Sequence, residues 1–314
     1  MKILMATDGS DQATAAVRTA GKILNRNNNH DRIDLLCVAP DLSWSKDKVR
    51  RPQPGIGQID QIEEIRDEYQ SKIKLEATKI VARTQAMLAT EGIEANALTE
   101  IGSPTSLIIK MAGDYDLTVI GAHDRYERGK PGLGPVASRV VAQAPGAVLV
   151  GRELTTERGW RILIGVDGSL ASEQAIQLMV SYFNVDSAEI TLMHVVETPW
   201  VQLGLEKEWL EPSESFFKRP VAAPSIDHGL WRGASTIIED SHCQLERLSL
   251  SAETIIESGD PALEILSEAE RGDYDLIVLG ATGDTSLKHS LLGSVSTKVA
   301  QSAHCSVFIV KFME

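Results

Sequence analysis

The sequence is poor in aromatic residues and in cysteine. Phe, Trp and Tyr together make up 5% of the 314 residues, and the three cysteines, Cys37, Cys243 and Cys305, are scattered and odd in number. Such cysteines fit buried, reduced thiols of a cytosolic protein better than a disulfide framework or a metal site. The histidines also lack metal-ligand spacing with one another and with cysteine. We therefore expect a cytoplasmic protein without a structural metal site.

Excess positive charge and long apolar runs are missing as well. Asp and Glu outnumber Lys and Arg by 44 to 31, which gives a formal net charge of −13. A surface for nucleic acid or an anionic membrane needs the opposite excess, so neither is an expected partner. The apolar segment 1–6 is too short for a signal peptide, and no run of about 18 apolar residues predicts a transmembrane helix.

What the chain does contain is an internal duplication. Three pairs of landmark residues share a separation of 159 positions: Asp8 and Asp167, Gly121 and Gly280, and Gly134 and Gly293. The sequence Gly-Asp-Tyr-Asp-Leu also occurs twice, at 113–117 and 272–276. One long-period repeat in a chain of this length predicts two tandem domains rather than a solenoid. We place the domains at residues 1–151 and 160–314.

Each half alternates short apolar runs with amphipathic segments. The alternation predicts five strands and four helices per half, that is, two tandem doubly wound α/β domains with mostly parallel sheets. The apolar runs 117–120 and 276–279 are typical of strands buried on both faces. A long helix is predicted in the first half, with an apolar stripe that includes Ile65 and Tyr69 and continues to Leu88.

A glycine-rich loop follows the fourth predicted strand of the second half. Ligands of doubly wound sheets bind at the carboxyl ends of the strands, where this loop begins. Gly280 and Gly283 allow the backbone to approach a phosphate closely, and Gly293 precedes a helix whose N–H groups and dipole favour an anion. Ser294 and Ser296 add hydroxyl donors. The loop therefore predicts a polyphosphate site.

The loop and the Asp-Gly-Ser turn after the first strand together resemble the universal stress protein family, in its tandem two-domain form. The family's nucleotide-binding pattern is Gly, two residues, Gly, nine residues, Gly, then Ser or Thr, and residues 280–294 match every term. The resemblance implies that Asp167 and Val195 contact the adenosine part of ATP. Since the carboxylate of Asp167 would repel phosphate, a role at ribose, adenine or a bound Mg²⁺ is favoured. The predicted cofactor-binding residues are Asp167, Val195, Gly280, Gly283, Gly293, Ser294, Val295 and Ser296.

The first half departs from that pattern at two places. Asp124 stands where the second Gly belongs, and Pro135 stands where Ser or Thr belongs. A carboxylate beside a triphosphate is unfavourable by about 1–4 kcal/mol at 4 Å, and Pro135 supplies neither an N–H nor a hydroxyl. We expect the first domain to keep the fold without ATP. Binding of a different small ligand or anion there is the alternative.

These features leave two main hypotheses for the function and a third, less favoured one. The first is a regulatory stress-response module that binds ATP or another adenine nucleotide, mainly in its second domain. The second is a slow ATP hydrolase, but the loop supplies no evident base or arginine finger, so dedicated catalysis is not expected. The third is a structural or interaction protein that binds no nucleotide.

Partners and the aromatic insertion complete the expectations. Two related domains on one chain are expected to form an intrachain pseudo-dimer, and the resemblance implies that the strands at 147–150 and 306–310 meet. A homodimer and unidentified protein partners stay open.

The segment 197–235 concentrates aromatic residues. They could form a lid over the nucleotide, a surface for a partner, or ordinary packing against the protein. These are Trp200, Trp209, Phe216, Phe217 and Trp231.

Overall fold

The computed structural model describes residues 1–25, 32–42, 56–123, 132–154, 159–197, 224–282 and 292–311. The backbone divides into two compact units, Met1–Lys22 with Arg26–Glu153, and Ile23–Asn25 with Leu154–Glu314. Each unit holds five strands in alternation with four helices over its described residues. The predicted fold class, two tandem doubly wound α/β domains with parallel sheets, is confirmed.

The first unit is a parallel sheet with helices between its strands. Its elements are β1 (Lys2–Ala6), α1 (Asp11–Ile23), β2 (Arg32–Ala39), α2 (Ile56–Thr90), β3 (Asn96–Ile101), α3 (Pro104–Ala112), β4 (Leu117–Gly121), α4 (Pro135–Gln143) and β5 (Ala147–Gly151). The strand order is β3-β2-β1-β4-β5 and each of these pairings is parallel. Strand order therefore reverses between β1 and β4, which is where ligands of doubly wound folds bind.

The second unit repeats this topology. Its elements are β6 (Arg161–Gly165), α5 (Leu170–Tyr182), β7 (Glu189–Val196), α6 (Pro224–Arg247), β8 (Glu253–Ser258), α7 (Pro261–Arg271), β9 (Leu276–Gly280), α8 (Ser294–Ser302) and β10 (Ser306–Val310). The strand order is β8-β7-β6-β9-β10, with parallel pairings. The carboxyl ends of β6 and β9 flank the reversal point of this sheet.

The central strands carry the core of each unit. β4 is buried along its whole length, and β9 is buried up to its last residue, Gly280. This burial confirms the interpretation of the two apolar runs as strands covered on both faces. α1 adds Ala13, Ala16 and Val17 to the core of the first unit, because these small residues share one face of the helix.

The third strand of each unit is shorter than the sequence suggests. We expect strands from Ile93 and Leu250, but β3 begins at Asn96 and β8 begins at Glu253. The residues between the expected and the observed strand starts form the turns that end the preceding helices. In the first unit the Ile93 N–H donates to the Leu88 carbonyl at 2.9 Å, and Gly92 before it has a φ of +75°. Each turn is an ordinary left-handed helix ending.

Helix α2 buries only the later part of its apolar stripe. Ala77, Thr84 and Leu88 are buried, whereas Ile65 is 55% and Tyr69 is 56% exposed. A helix of 35 residues is about 52 Å long, whereas the six residues of β3 span about 20 Å. The first turns of α2 therefore extend past the end of β3, which a sequence stripe cannot reveal.

Candidate functional site

The Asp-Gly-Ser turn after β6 is held by its own side chains. Asp167 Oδ1 accepts hydrogen bonds from the N–H of Ser169 at 3.0 Å and from its hydroxyl at 2.6 Å. Ser169 Oγ in turn accepts from the Ser172 N–H at 3.2 Å and caps α5. Gly168 sits between them with φ of +79°, a conformation that favours glycine. Within the described residues no donor contacts Asp167 Oδ2.

Val195 lies beside this turn on the neighbouring strand. In the parallel register of β6 and β7, Gly165 is paired with Met193. Asp167 and Val195 each come two residues later, so they lie side by side at the ends of the two strands. The Val166 N–H donates to the Met193 carbonyl at 2.9 Å. His194 Nδ1 lies 2.8 Å from the Val166 carbonyl oxygen, which only accepts, so Nδ1 carries the proton. These contacts fix the spacing of the two strand ends.

Gly280 ends β9 where α5 begins. A Cβ at this position would lie 2.8 Å from the Ala171 carbonyl carbon and 2.8 Å from the Ser172 nitrogen. Only glycine lets the strand end and the helix start approach this closely. Ser169 Oγ also lies 3.4 Å from the Thr282 carbonyl oxygen, so the Asp-Gly-Ser turn and the start of the glycine loop are neighbours.

The far end of the glycine loop returns to the same strand end. The Gly293 N–H donates to the Ala281 carbonyl at 2.6 Å, and the Ser296 hydroxyl donates to the Gly280 carbonyl at 2.7 Å. The first turn of α8 is thereby fixed beside the end of β9. Asp167, Val195, Gly280 and the segment 293–296 are thus brought to one edge of the sheet, and Gly283 lies outside the described residues.

The N-terminus of α8 receives no cap from the side chain of its N-cap residue. Gly293 is its N-cap residue and offers no side chain, whereas Ser169 caps α5 and Asp260 caps α7. The first N–H groups of a helix have no partner within the helix, and the helix dipole makes them attractive to an anion. Ser294 is exposed at this end and Val295 is half-buried. This geometry can hold a phosphate.

The Ser296 side chain is used inside the protein. It is 4% exposed and its only proton is donated to Gly280. Its hydroxyl therefore joins α8 to β9, while its backbone N–H still belongs to the first turn of α8. Ser294 is the hydroxyl of this turn that faces solvent.

An ion pair joins α7 and α8 near the same edge. Lys298 Nζ lies 3.1 Å from Asp260 Oδ2, and Asp260 Oδ1 accepts from the Leu263 N–H at 3.0 Å. Burial by itself would raise the pKa of Asp260, but these hydrogen bonds and the charge of Lys298 hold it below its ordinary value. The pair therefore joins α8, at Lys298, to the residue that caps α7.

The first domain has the same framework with different chemistry. Asp8 Oδ1 accepts from the Ser10 N–H at 2.9 Å, and the Gly134 N–H donates to the Ala122 carbonyl at 2.8 Å. Helix α4 also lacks a side-chain cap, but its first residue is Pro135, which has no N–H. The position of Ser296 is taken by Ala137, which has no hydroxyl. Asp124 lies outside the described residues.

Several residues that shape the site are absent from the sequence prediction of ligand contacts. Ser169, His194 and the Asp260–Lys298 pair act through backbone groups or through a helix distant in sequence. The place of Ser169 after Asp-Gly predicts that it caps the next helix, and it does cap α5. His194 and Lys298 carry no such signal, because their partners lie on neighbouring elements.

Two absences apply to the described parts of the chain. No helix there is long and apolar enough to cross a membrane. No group of three or more His, Cys, Asp or Glu side chains is arranged there to hold a metal ion.

Comparison with known proteins agrees with this architecture. The Universal stress protein family model matches residues 1–152 and again residues 160–311. The chain therefore belongs to the universal stress protein family, in its tandem two-domain form.

Individual relatives match either one half or the whole chain. Universal stress protein YxiE of Bacillus subtilis is 31% identical over 151 residues, which are 48% of this chain and 98% of YxiE. A universal stress protein of Mycolicibacterium smegmatis is 25% identical and covers 98% of this chain and 96% of its own length. The crystal structure of a universal stress protein from Archaeoglobus fulgidus aligns with a TM-score of 0.62 and 19% identity, over 99% of this chain and 96% of that chain. This last likeness shows the fold.

Proposed function

We propose that the second domain binds ATP or a related adenine nucleotide, and that the protein acts as a nucleotide-dependent regulator of the stress response. The observation that carries the proposal is the N-terminus of α8, which lacks a side chain at its N-cap and is held beside Gly280, on the same edge of the sheet as Asp167. Helix N–H groups and the exposed Ser294 hydroxyl would donate to phosphate oxygens. Oδ2 of Asp167 would accept from a ribose hydroxyl or the adenine amino group, beside Val195.

The proposed site is confined to the second domain. Pro135 deprives α4 of one N–H donor and replaces the hydroxyl that Ser294 supplies in α8. Asp124 adds a negative charge to the loop sequence of the first domain, where the second domain has Gly283. One nucleotide per chain is therefore the expected stoichiometry.

Binding rather than turnover is the proposed activity. Hydrolysis needs a positioned water, charge stabilisation at the γ-phosphate and metal ligands. The described part of the site offers helix N–H groups, one hydroxyl and the Asp167 carboxylate. Rapid release of phosphate that disappears in Asp167→Ala would instead favour the hydrolase alternative.

Mass spectrometry of nucleotide released from the purified protein, combined with calorimetric titration of ATP, tests the proposal. We expect one adenine nucleotide per chain, with Mg²⁺ dependence read from parallel titrations with and without EDTA. A stoichiometry near two would contradict the confinement to the second domain. No binding at millimolar ATP would contradict the proposal and favour the structural or interaction protein.

Assembly and location remain predictions from the sequence. The duplicated domains are expected to form the intrachain pseudo-dimer, and a homodimer, further protein partners and a cytoplasmic location also stay predictions. Sedimentation with and without ATP measures whether chains associate further.

A further inference from the structure

The first domain contains a cavity of about 510 Å³ at the carboxyl edge of its sheet. This volume lies within the range of about 300–1,000 Å³ that is usual for small-molecule sites. The described part of the wall is formed mainly by aliphatic side chains from strands and helices on the two sides of the reversal point. Six of them are Ala13, Leu36, Ile73, Ile80, Ile108 and Ile120.

Among the described residues of the wall, the two charged groups on α2 are paired with neighbours. Lys72 Nζ lies 2.6 Å from Glu68 Oε1, and Glu76 Oε1 lies 2.7 Å from Lys79 Nζ. Both pairs belong to the exposed surface of α2. Neither Lys72 nor Glu76 therefore brings an uncompensated charge to the cavity. The wall also contains Asp8, whose carboxylate repels an anion but accepts a hydrogen bond from a neutral donor.

Two wall positions of the cavity lack a hydrogen-bonding side chain that the second domain has, whereas Thr7 and His123 stand where the second domain has Val166 and Thr282. Helix α4 contributes Val136 and Ala137 to the wall, and Ala137 replaces Ser296. The thiol of Cys37 takes the place of the imidazole of His194, since the Thr7–Leu36 and Val166–Met193 backbone bonds align the two domains. Each replacement removes a strong hydrogen-bonding group, and Pro135 removes an N–H from the nearby helix start.

We propose that the first domain binds an uncharged, mainly apolar small molecule in this cavity. Burying apolar ligand surface against the aliphatic wall supplies the affinity. Asp8 accepts one hydrogen bond from the ligand and sets its orientation. Together with the proposed nucleotide in the second domain, the chain would then hold two chemically different ligands. Because the cavity lies in the first domain, this inference does not depend on the proposed nucleotide site.

Titration of the full chain with N-phenyl-1-naphthylamine tests the proposal. This probe is neutral and apolar, has one N–H donor, and fluoresces strongly when it leaves water. We expect saturable binding of one probe per chain. Ile73→Trp should weaken it at least tenfold, because Ile73 is half-buried in the wall and a larger side chain would fill the cavity.

The matched control is Leu230→Trp in the second domain. Leu230 occupies the position of Ile73, because Ile80 and Ile237 make the same contact with Gly9 and Gly168. The control should leave probe affinity within twofold of the wild type. Equal effects of the two variants, absence of saturable binding, or displacement of the probe by ATP or inorganic phosphate would each overturn the proposal.

Methyl NMR of the isotope-labelled wild-type chain gives a readout that needs no variant. Addition of the probe should shift the isoleucine methyl signals of the cavity wall, Ile73, Ile80, Ile108 and Ile120, and leave Ile237 unchanged. Shifts confined to the second domain, or spread over the exposed isoleucines, would refute the assignment of the site.

Discussion

The Ser296 hydroxyl donates a hydrogen bond of 2.7 Å to the carbonyl oxygen of Gly280. This contact joins the start of α8 to the end of β9, across the glycine loop. The proposed phosphate-binding end of α8 is thus held against the sheet by the protein itself. In the first domain the matching pair is Ala137 and Gly121, which cannot form this bond.

Ser296→Ala is expected to lower the free energy of unfolding of the second domain by about 1–2 kcal/mol, because a buried carbonyl loses its donor. The matched control is Ser294→Ala, two residues earlier and exposed, which should change stability by less than about 0.5 kcal/mol. Urea unfolding followed by circular dichroism measures both. Equal losses would show that the bond of Ser296 does not stabilise the domain.

Gly280→Ala should disrupt the contact between β9 and α5. The new Cβ would lie 2.8 Å from backbone atoms of Ala171 and Ser172, so the helix must move. We expect a loss of about 1–3 kcal/mol in stability, as for other overpacked sites, together with weaker ATP binding. Thermal unfolding and calorimetric titration are the measurements.

Gly233→Ala is the control for this substitution. Gly233 lies within α6, and a Cβ there meets nothing within 4 Å. Alanine should stabilise the helix by about 0.5–1 kcal/mol. If Gly280→Ala behaved like Gly233→Ala, the close approach at the strand end would not constrain this position.

The alternation of strands and helices could be predicted from sequence because each element carries its own hydrophobic period. β4 and β9 are near-continuous apolar runs, and both are buried strands. The starts of β3 and β8 could not be placed from the sequence. The left-handed residues Gly92 and Ser249, which end the preceding helices, lie among polar residues that do not mark where the next strand begins.

The candidate site was predictable only as far as local chemistry reaches. The glycine spacing places the segment 293–296 at the start of a helix, and the structure has α8 beginning at Ser294. The use of the Ser296 hydroxyl by Gly280 depends on packing between two elements, so the sequence could not separate it from the exposed hydroxyl of Ser294.

Ser294→Pro should abolish most ATP affinity while leaving the fold intact. Proline is well tolerated at the first position of a helix, and Pro135 already occupies that position in α4. The variant loses one N–H and one hydroxyl, both proposed donors to phosphate, so the dissociation constant should rise about tenfold or more. Calorimetry measures the affinity and thermal unfolding checks the fold.

Pro135→Ser in the first domain is the reciprocal control. It should leave the ATP stoichiometry at one per chain, because Asp124 still occupies the loop of that domain. A second ATP in this variant would mean that Pro135 alone prevents binding there. An unchanged affinity in Ser294→Pro would contradict the role of the α8 N-terminus.

Asp34 should stabilise the first domain in a pH-dependent manner. Its side chain is fully buried and receives hydrogen bonds from Tyr115 at 2.5 Å, Asn96 at 2.8 Å and Arg32 at 2.8 Å. Burial alone would raise the pKa of Asp34, but these hydrogen bonds and the charge of Arg32 bring it below its ordinary value. Burial and the neighbouring carboxylate raise the pKa of Tyr115 to about 12, so the phenol remains a donor at neutral pH.

A carboxyl whose folded pKa is lowered stabilises the fold above its unfolded pKa, near 3.9, and this contribution is lost as the pH falls through the folded value. Asp34→Asn should therefore lower the free energy of unfolding by about 1–3 kcal/mol at pH 7, and the difference from the wild type should shrink below about pH 4. Urea unfolding at several pH values measures the difference. The control is Glu100→Gln, which alters an exposed carboxylate on β3 and should give a small, pH-independent change in stability. A pH-independent loss of stability in Asp34→Asn would show that the shape of the Asp34 side chain, and not its charge, stabilises the domain.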